Sequence, residues 1–382
     1  MKPATFYKYA LFSVCMAFLI VFLVGPIVLT VKDAFVEHTD TGSQFTLHYI
    51  YSIFRDPVLV ESLINSLFIA VAVTLLCLVI ALPLAVIATR FDFVGKTIFS
   101  SLLLVPLILP PFVGAIGLRL LMGRYGSFNA MLFESGVTDP TAPVDFLGGA
   151  RLWGVIIMEA LHLYPIVYLN VTAALANLDP AMEQAAENLG ASRWTRLRRV
   201  VLPLILPGVF AGCTIVFVWA FTELGTPLMF DFTAVAPVQI FWGVQDLESP
   251  RPYALVVVVL VIATICYLLG KVTLGRRSYA ATTRAAVHAE TKRLPLGPGL
   301  LALAPFVIIT ILAILPHLGV VLASFTQPGT WYQTILPTGW TMDHYFGEAG
   351  AMSHPLAAGS IRNSLVLSVL AMSVDIILGL TI

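Results

Sequence analysis

Residues 179–203 read DPAMEQAAENLGASRWTRLRRVVLP, a polar stretch that lies between two long apolar segments. Its first half has the start signals of a short helix, because Asp179 suits the N-cap and Pro180 suits the first helical position. Gly190 supplies a left-handed stop, and a second helical turn is predicted to start at Ser192. A compact helix between apolar segments indicates a surface to which another protein binds. A solvated loop without a binding partner is the alternative.

The composition excludes an ordinary soluble protein. Of the 382 residues, 59% are hydrophobic and 11% are charged, whereas about a quarter are charged in soluble domains. Apolar segments of about 20 residues, long enough to cross a bilayer, recur along the chain. We therefore predict an all-α, polytopic transmembrane fold with about eight spans. Their approximate bounds are 9–31, 63–89, 97–122, 152–175, 204–230, 253–274, 299–323 and 361–382.

The distribution of lysine and arginine predicts the orientation of the chain. Basic residues precede the first span and follow the second, fourth and sixth, whereas acidic residues prevail in the loops on the opposite side. By the positive-inside rule the N-terminus is cytoplasmic, which places residues 179–203 in the cytoplasm. The four cysteines lie in apolar segments without CxxC spacing, so neither a disulfide framework nor a metal site is predicted.

The chain begins to repeat itself near residue 299. Asn65-Ser66-Leu67 recurs as Asn363-Ser364-Leu365, and each copy is followed by an apolar run. The second copy lacks a counterpart of residues 179–203, so we expect a truncated or split chain and a further polypeptide that completes the second module. The predicted division is a first module of six spans, 1–275, a basic cytoplasmic linker, 276–298, and a partial second module, 299–382.

The polar stretch resembles the EAA loop of the membrane subunits of bacterial ABC importers. The signature is Glu-Ala-Ala, three residues, Gly, nine residues, Ile, one residue and Leu-Pro, and it falls here on Gln184-Ala185-Ala186, Gly190, Val200 and Leu202-Pro203. Gln184 stands where the signature has Glu, although Glu183 and Glu187 flank it, and Val200 replaces Ile. The resemblance implies an ATPase-coupling loop that comprises Glu183, Gln184, Ala185, Ala186, Gly190, Ala191, Leu202 and Pro203.

The six-span module also resembles the importer permeases of the MetI-like fold. Two modules joined by a cytoplasmic linker resemble the fused ferric-iron permeases, and residues 223–227, Glu-Leu-Gly-Thr-Pro, look like a segment of that branch. The resemblance implies a multi-pass protein of the bacterial inner membrane, with ferric iron as the favoured cargo. Polyamine, thiamine and phosphonate permeases are near relatives and stay as alternatives.

The same resemblance implies the partners. An ABC ATPase subunit, expected as a dimer, uses ATP and Mg²⁺, and a soluble binding protein delivers the substrate. The chain itself is expected to be a transport subunit and not an enzyme, to bind no cofactor, metal or nucleic acid, and to have no catalytic residues. Gly95-Lys96-Thr97 resembles the end of a phosphate-binding loop, but the earlier glycine that such a loop needs is Arg90 here. An ATP-independent secondary transporter, which also shows repeats and broken helices, is the rival class.

Acidic residues within predicted spans are the candidates for a membrane pathway, because a charge in the bilayer is costly. Glu223 is expected to line the translocation pathway with Gly225 and Pro227, since Gly and Pro break the helix beside it. A hydrogen-bonded structural carboxylate is the alternative for Glu223.

Two further acidic residues lie within predicted spans. Glu159 and His162 are three residues apart and share a helical face, which favours a satisfied buried pair over a metal ligand set. Asp375 has no partner that the sequence identifies.

Overall fold

The computed structural model of the chain describes residues 3–39, 42–148, 151–245, 249–273, 291–347, 350 and 354–381. The helices are α1 (Pro3–Leu19), α2 (Gly25–Ala34), α3 (His48–Arg55), α4 (Pro57–Arg90), α5 (Lys96–Leu102), α6 (Pro111–Met122), α7 (Ser127–Glu134), α8 (Leu152–Ala176), α9 (Pro180–Asn188), α10 (Arg193–Arg196), α11 (Leu202–Thr222), α12 (Gly225–Met229), α13 (Ala236–Gly243), α14 (Arg251–Thr273), α15 (Leu296–Ser324), α16 (Asp343–Phe346) and α17 (Pro355–Thr381). Two π-helical turns, Ile20–Val24 and Leu197–Val201, and a 3₁₀ turn, Val105–Leu107, connect some of them.

Four short strands complete the described elements: β1 (Val36–Thr39), β2 (Gly42–Phe45), β3 (Phe91–Asp92) and β4 (Lys292–Arg293). β1 and β2 form an antiparallel hairpin after the first span, with Val36 opposite Phe45. β3 and β4 pair in parallel and join the end of α4 to the segment that enters α15.

The prediction of an all-α polytopic protein is confirmed. Seven helices in the described ranges are long and apolar enough to cross a membrane, and a bent helix pair brings the number to eight if it counts as one span. The seven are Leu11–Ala34, Pro57–Arg90, Leu152–Ala176, Arg193–Thr222, Arg251–Thr273, Leu296–Ser324 and Pro355–Leu380.

The third span, predicted over 97–122, is broken. The stretch Lys96–Leu107 meets the stretch Pro111–Glu134 at an angle of 98°. The cause is chemical, because Pro106, Pro110 and Pro111 lack the N–H donor of a helix and their rings clash with the preceding turn.

The fifth predicted span, 204–230, is also shorter than expected. α11 ends at Thr222, and Glu223 is extended with φ −68° and ψ 128° before α12 begins. Glu223 therefore lies at the break between α11 and α12, in agreement with the predicted break beside Gly225 and Pro227.

Helices α4, α8 and α11 pack together as the centre of the protein. Their largest buried side chains include Ile69, Tyr164 and Phe221, each almost completely removed from solvent. Close van der Waals packing of these side chains holds the three helices together, because lipid is as apolar as they are and gives no hydrophobic driving force between spans. α8 is the most enclosed of the candidate spans, which puts its polar residues inside protein rather than in lipid.

Helix α15 packs along α6 and α5, and α14 packs on α2. The closest approach is at Gly117 of α6, where an added Cβ would lie 1.7 Å from the backbone O of Pro316. By contrast, the described side chains of α1, Tyr9 and residues 11–19, are exposed apart from Cys15, and so are almost all the described side chains of α17. The division into modules stays a prediction; of the expected linker, 276–298, residues 276–290 lie outside the described residues, and α15 begins at Leu296 within it.

Candidate functional site

Helix α9 has the caps that its sequence predicts. The Asp179 Oδ1 accepts a hydrogen bond from the backbone N of Ala181 at 2.9 Å, and Pro180 occupies the first helical position. After the helix, Gly190 has φ 78°, in the left-handed region. The predicted helix start and stop are both confirmed.

The end of α9 is a Schellman motif, in which two backbone amides fold back onto the last turn. The Ala191 N–H donates to the Ala186 carbonyl at 3.0 Å, and the Gly190 N–H donates to the Glu187 carbonyl at 2.8 Å. A Cβ added at Gly190 would meet no atom within 4 Å. Glycine is therefore required here by the backbone conformation and not by a lack of space.

Two ion pairs attach α9 to its neighbours. Arg90, the last residue of α4, donates from Nη2 to Glu183 Oε1 at 2.7 Å, and both side chains are largely shielded, with 34% and 21% of their surfaces exposed. Arg196 of α10 pairs with Glu187. Helix α9 is thus bound to the end of α4 on one side and to the segment that begins the next span on the other.

The outward surface of α9 and its flanks carries large apolar side chains. Met182 is 51% exposed, Leu189 89% and Trp194 67%; Ala185 and Gln184 are also exposed, and Gln184 borders the groove between α9 and the end of α4. We call these five residues the α9 surface. Exposed apolar groups rimmed by polar ones are typical of a protein docking site.

The chain runs from α9 into α11 without a loose connection. Ser192 is the N-cap of α10, with its Oγ accepting from the Thr195 N at 3.3 Å, as the sequence predicts. The π-helical turn Leu197–Val201 then leads into α11, which Leu202 and Pro203 open. Helix α9 is therefore joined to a helix of the central bundle through successive helical turns.

At the break between α5 and α6, side chains of neighbouring helices take up the carbonyls that the prolines free. His162 of α8 donates from Nδ1 to the Pro106 carbonyl at 2.7 Å, and the Tyr164 hydroxyl donates to the Leu103 carbonyl at 2.9 Å. His317 of α15 places Nε2 3.4 Å from the Pro110 carbonyl. Non-helical backbone at membrane depth is tolerated where protein groups satisfy it in this way.

The expected pair of Glu159 and His162 is not formed. Glu159 is 1% exposed, and neither of its carboxylate oxygens has a hydrogen-bond partner within the described residues. His162 is turned toward the Pro106 carbonyl instead, because the broken helix offers it a free acceptor. The position of Glu159 and His162 on one helical face did not suffice to predict that they pair, because the carbonyl that His162 binds lies far away in the sequence.

Glu223 joins α11 to α12 by three hydrogen bonds. Its Oε1 accepts from the backbone N of Gly225 at 3.0 Å and of Thr226 at 3.3 Å, and its Oε2 accepts from Trp219 Nε1 at 3.2 Å. The carboxylate therefore caps the start of α12. Pro227 is buried in the same short helix.

The same Glu223 borders an open groove of about 630 Å³ along one face of α11. The groove is lined by Thr214, Ile215, Val218, Trp219, Thr222 and Glu223. Glu223, Gly225 and Pro227 lie together, as expected, but at the opposite end of α11 from the α9 surface. The 21 residues of α11 separate the two sites by roughly 30 Å.

The sequence reasoning missed an arginine cluster that holds the far end of α12. Arg119 donates to the Met229 carbonyl and lies 3.0 Å from Asp231 Oδ2, while Arg151 donates to the Phe230 carbonyl at 3.0 Å and also pairs with Asp231. A charged residue inside the predicted third span, Arg119, was the available signal.

Asp375 of α17 is exposed, and the structure supplies no role for it. No group of three or more His, Cys, Asp or Glu side chains within the described parts of the chain is arranged to hold a metal ion.

Comparison with protein families gives one match that covers half of the chain. The model for "Binding-protein-dependent transport system inner membrane component" matches residues 81–277. These residues include all of α9 and the whole central bundle after the first part of α4.

Among curated proteins, the chain is similar to permeases of several transport systems. It is 26% identical over 296 residues to the putative ferric transport system permease protein FbpB 1 of Haemophilus influenzae, covering 74% of this chain and 44% of that protein. It is 30% identical over 217 residues to the molybdenum transport system permease protein ModB of the same species, covering 56% and 91%. It is 28% identical over 201 residues to the spermidine/putrescine transport system permease protein PotB of Escherichia coli, covering 52% and 71%.

The chain spans well under half the length of the ferric permeases that it matches, 44% in Haemophilus influenzae and 39% in Actinobacillus pleuropneumoniae. Among solved structures, a bacterial ABC transporter involved in the import of the acidic polysaccharide alginate matches 71% of this chain and 95% of that chain. The TM-score is 0.57 at 18% sequence identity, which supports the fold alone.

Proposed function

Because the chain belongs to the family of binding-protein-dependent transport system inner membrane components, we propose that it is the membrane-spanning subunit of an ATP-driven importer. A separate dimeric ABC ATPase binds the α9 surface from the cytoplasm and uses ATP and Mg²⁺. A soluble binding protein delivers the substrate on the opposite side. The chain is a multi-pass inner-membrane protein, and in this proposal its N-terminus is cytoplasmic.

The observation that carries the proposal is the attachment of α9 to two helices of the central bundle. The Arg90–Glu183 pair ties it to α4, and the continuous backbone from Ser192 ties it to α11. An ATPase that moves α9 therefore moves both helices. The exposed side chains of Met182, Leu189 and Trp194 provide the apolar surface to which the ATPase binds.

The same movement reaches the opposite side of the membrane through rigid elements. On α4, Arg90 and Asn65 are separated by 25 residues, or roughly 37 Å of helix. The Asn65 side chain donates to the Ala234 carbonyl at 2.9 Å, in the segment that follows α12. In this account Glu223, Gly225 and Pro227 line the translocation pathway, because Glu223 borders the groove on α11 and caps α12.

We propose ferric iron as the cargo. The similarity to the ferric permeases covers 74% and 72% of the chain, whereas the similarity to the molybdenum and the spermidine/putrescine permeases covers 56% and 52%. Only the former extends well beyond one permease module. Polyamine and molybdate are the alternatives, since the spermidine/putrescine and molybdenum permeases are slightly more identical to this chain over their shorter matches.

The experiment that tests the cargo is uptake in the host bacterium from which the gene is deleted and then restored. Uptake of radiolabelled ferric iron, spermidine and molybdate is measured with and without dissipation of cellular ATP. We expect ATP-dependent ferric iron uptake that requires the restored gene. Gene-dependent uptake of spermidine or molybdate alone would contradict ferric iron as the substrate but would still agree with an ATP-driven importer. ATP-independent uptake would favour a secondary transporter.

The Arg90–Glu183 pair gives a charge-swap prediction. Arg90→Glu should lower uptake several-fold by separating α9 from α4, and the double variant Arg90→Glu with Glu183→Arg should restore most of it. The pair itself contributes about 1 kcal/mol at this exposure, so expression and insertion should not change. Arg198→Ala, at an exposed position of the adjacent turn, is the matched control. If the charge swap does not restore uptake, the Arg90–Glu183 pair does not transmit movement of α9 to α4.

Glu223 gives a second prediction. Glu223→Ala removes the acceptor for two backbone amides and for Trp219, so α12 should lose its start and uptake should fall at least tenfold. Glu223→Gln keeps an acceptor oxygen and should retain a substantial part of the uptake. Measured side by side at equal membrane abundance, equal losses in both variants would mean that the charge, and not the cap, is what transport needs.

A further inference from the structure

The arginine cluster beyond α12 borders a concave pocket of about 340 Å³. The described lining of this pocket includes the side chains of Arg119, Arg124 and Arg151 and a single carboxylate, that of Asp145. We call it the arginine pocket. It lies at the end of the bundle opposite α9, because Arg151 precedes α8 whereas α9 follows that helix. With α9 in the cytoplasm, the pocket opens on the outer side of the membrane.

Two of the three guanidinium groups are fixed in place and still have donors to offer. Arg119 donates to the Met229 carbonyl and pairs through Nη2 with Asp231 Oδ2 at 3.0 Å. Arg151 uses its Nη1 for the Phe230 carbonyl and for Asp231. The Nε of Arg119 and the Nε and Nη2 of Arg151 have no partner within the described residues. The two side chains are 39% and 42% exposed, so these donors are open to a ligand.

The third guanidinium group, that of Arg124, is not engaged in a hydrogen bond within the described ranges. Its Nη2 lies 3.9 Å from Asp145 Oδ2, beyond hydrogen-bond distance, and its side chain is 66% exposed. Three guanidinium groups thus face two carboxylates, those of Asp145 and Asp231, and the described part of the pocket keeps an excess of positive charge. A cleft lined by positive charge attracts anions and raises their local concentration.

The backbone beside the pocket is held in an uncommon conformation. Arg151 and Asp231 have φ 57° and 51°, and they are two of the three non-glycine residues with positive φ in the described parts of the chain. Such residues persist where the surrounding structure holds them, and they cluster at ligand-binding sites. The ion pair between Arg151 and Asp231 joins the two strained positions. The Arg151 guanidinium group is therefore positioned before any ligand arrives.

The donors of the pocket suit an oxyanion. A guanidinium group presents paired N–H groups whose spacing matches two oxygens of a carboxylate, a phosphate or a similar oxyanion. The excess positive charge repels a bare metal cation. Ferric iron is therefore compatible with this pocket only as an anionic complex, in which oxyanion ligands surround the metal.

We propose that the arginine pocket binds an oxyanion at the outer end of the transport pathway, through Arg124 and the unengaged donors of Arg151. The oxyanion is either the cargo itself or a ligand of ferric iron in an anionic chelate. Because the five residues of α12 separate the arginine cluster from Glu223, the bound oxyanion lies one short helix away from the groove on α11. The inference rests on the proposed function, in which the substrate arrives on this side.

The test is equilibrium binding to the transporter, purified from host membranes with its copurifying subunits into nanodiscs of zwitterionic lipid. The probes are radiolabelled molybdate, radiolabelled citrate, and ferric citrate that carries the label on iron. Arg124→Ala removes a side chain without a hydrogen bond in the described residues, so the fold should stay intact while the affinity falls about tenfold. Arg55→Ala, at an exposed arginine that ends α3, is the matched control and should leave the affinity unchanged.

Asp145→Asn should change the affinity in the opposite direction. It removes the carboxylate that lines the pocket, so the oxyanion should bind about threefold more tightly. Binding of molybdate or citrate without iron would identify a free oxyanion, and binding of ferric citrate alone would identify the iron chelate. Both results support the pocket when they are accompanied by the two shifts in affinity. No saturable binding of any probe, or equal affinities of Arg124→Ala and Arg55→Ala, would overturn it.

ATP-dependent uptake, measured in the same membranes, separates this inference from the proposed function. Uptake without oxyanion binding would refute the arginine pocket as an oxyanion site and leave the proposed function standing. If Arg124→Ala then weakened capture of the binding protein, the cluster would belong to a docking surface for acidic groups of that protein. Oxyanion binding that depends on Arg124, without ATP-dependent uptake, would support the pocket and contradict the proposed function.

Discussion

Gly190→Asp is expected to abolish ATP-dependent uptake while the protein still inserts in the membrane at normal abundance. Gly190 has φ 78°, a conformation that costs most residues with a side chain about 1–2 kcal/mol and aspartate less than that. The new carboxylate would also lie at the C-terminal end of α9, where a negative charge is unfavourable, and would compete with Glu187 for Arg196. Both effects reshape the α9 surface next to Leu189, on which the proposed ATPase sits.

Two matched variants separate these causes. Gly136→Asp introduces the same residue at another exposed left-handed glycine, with φ 72° and open space around it, far from α9, and should leave uptake intact. Gly190→Asn tolerates the left-handed conformation without the charge and should keep most of the uptake. If Gly190→Asp still couples ATP hydrolysis to transport, the account of the α9 surface is wrong.

Among glycine-to-alanine changes in the described parts of the chain, Gly117→Ala should cause the largest loss of stability. The new Cβ would lie 1.7 Å from the Pro316 carbonyl oxygen, a backbone atom that cannot rotate away. Gly319 of α15 faces the same crossing, with its own hypothetical Cβ 3.5 Å from the Gly117 carbonyl. α6 and α15 would have to separate, at a cost of about 3 kcal/mol, the upper end of typical overpacking.

The measurement is the thermal midpoint of the purified protein in detergent, which should fall by roughly 5–10 °C. Gly297→Ala, in α15 at a position with no atom within 4 Å of the added methyl, is the control and should not lower the midpoint. Gly114→Ala is an informative intermediate, since its Cβ would meet the flexible end of Met158 as well as His317. A midpoint for Gly117→Ala equal to that of Gly297→Ala would contradict the close crossing of α6 and α15.

Local chemistry made the ends of α9 predictable from the sequence. Asp179, Pro180 and Gly190 act through atoms within a few residues of themselves, so the cap and the Schellman motif need no tertiary information. The existence of the spans was predictable for a similar reason, because length and apolar composition suffice to define them.

Partners that lie far apart in the sequence were not predictable. His162 binds the Pro106 carbonyl because the third span breaks, and that break depends on prolines whose effect in a membrane span varies with what satisfies the freed backbone. The Glu159–His162 pair failed for this reason. Arg119 gave a signal as a charge within an apolar run, but its partner Asp231 becomes apparent only when α12 is in place.

The most direct test of the central claim is whether the α9 surface holds the ATPase. The amount of host ATPase subunit that copurifies with the chain, and ATP-dependent uptake, are measured for Leu189→Glu and for Val137→Glu, a comparably exposed apolar residue outside this surface. The account predicts that Leu189→Glu loses at least nine-tenths of the bound ATPase together with uptake, while Val137→Glu keeps both. Retention of ATPase and uptake by Leu189→Glu would contradict the proposal that α9 couples this chain to ATP hydrolysis.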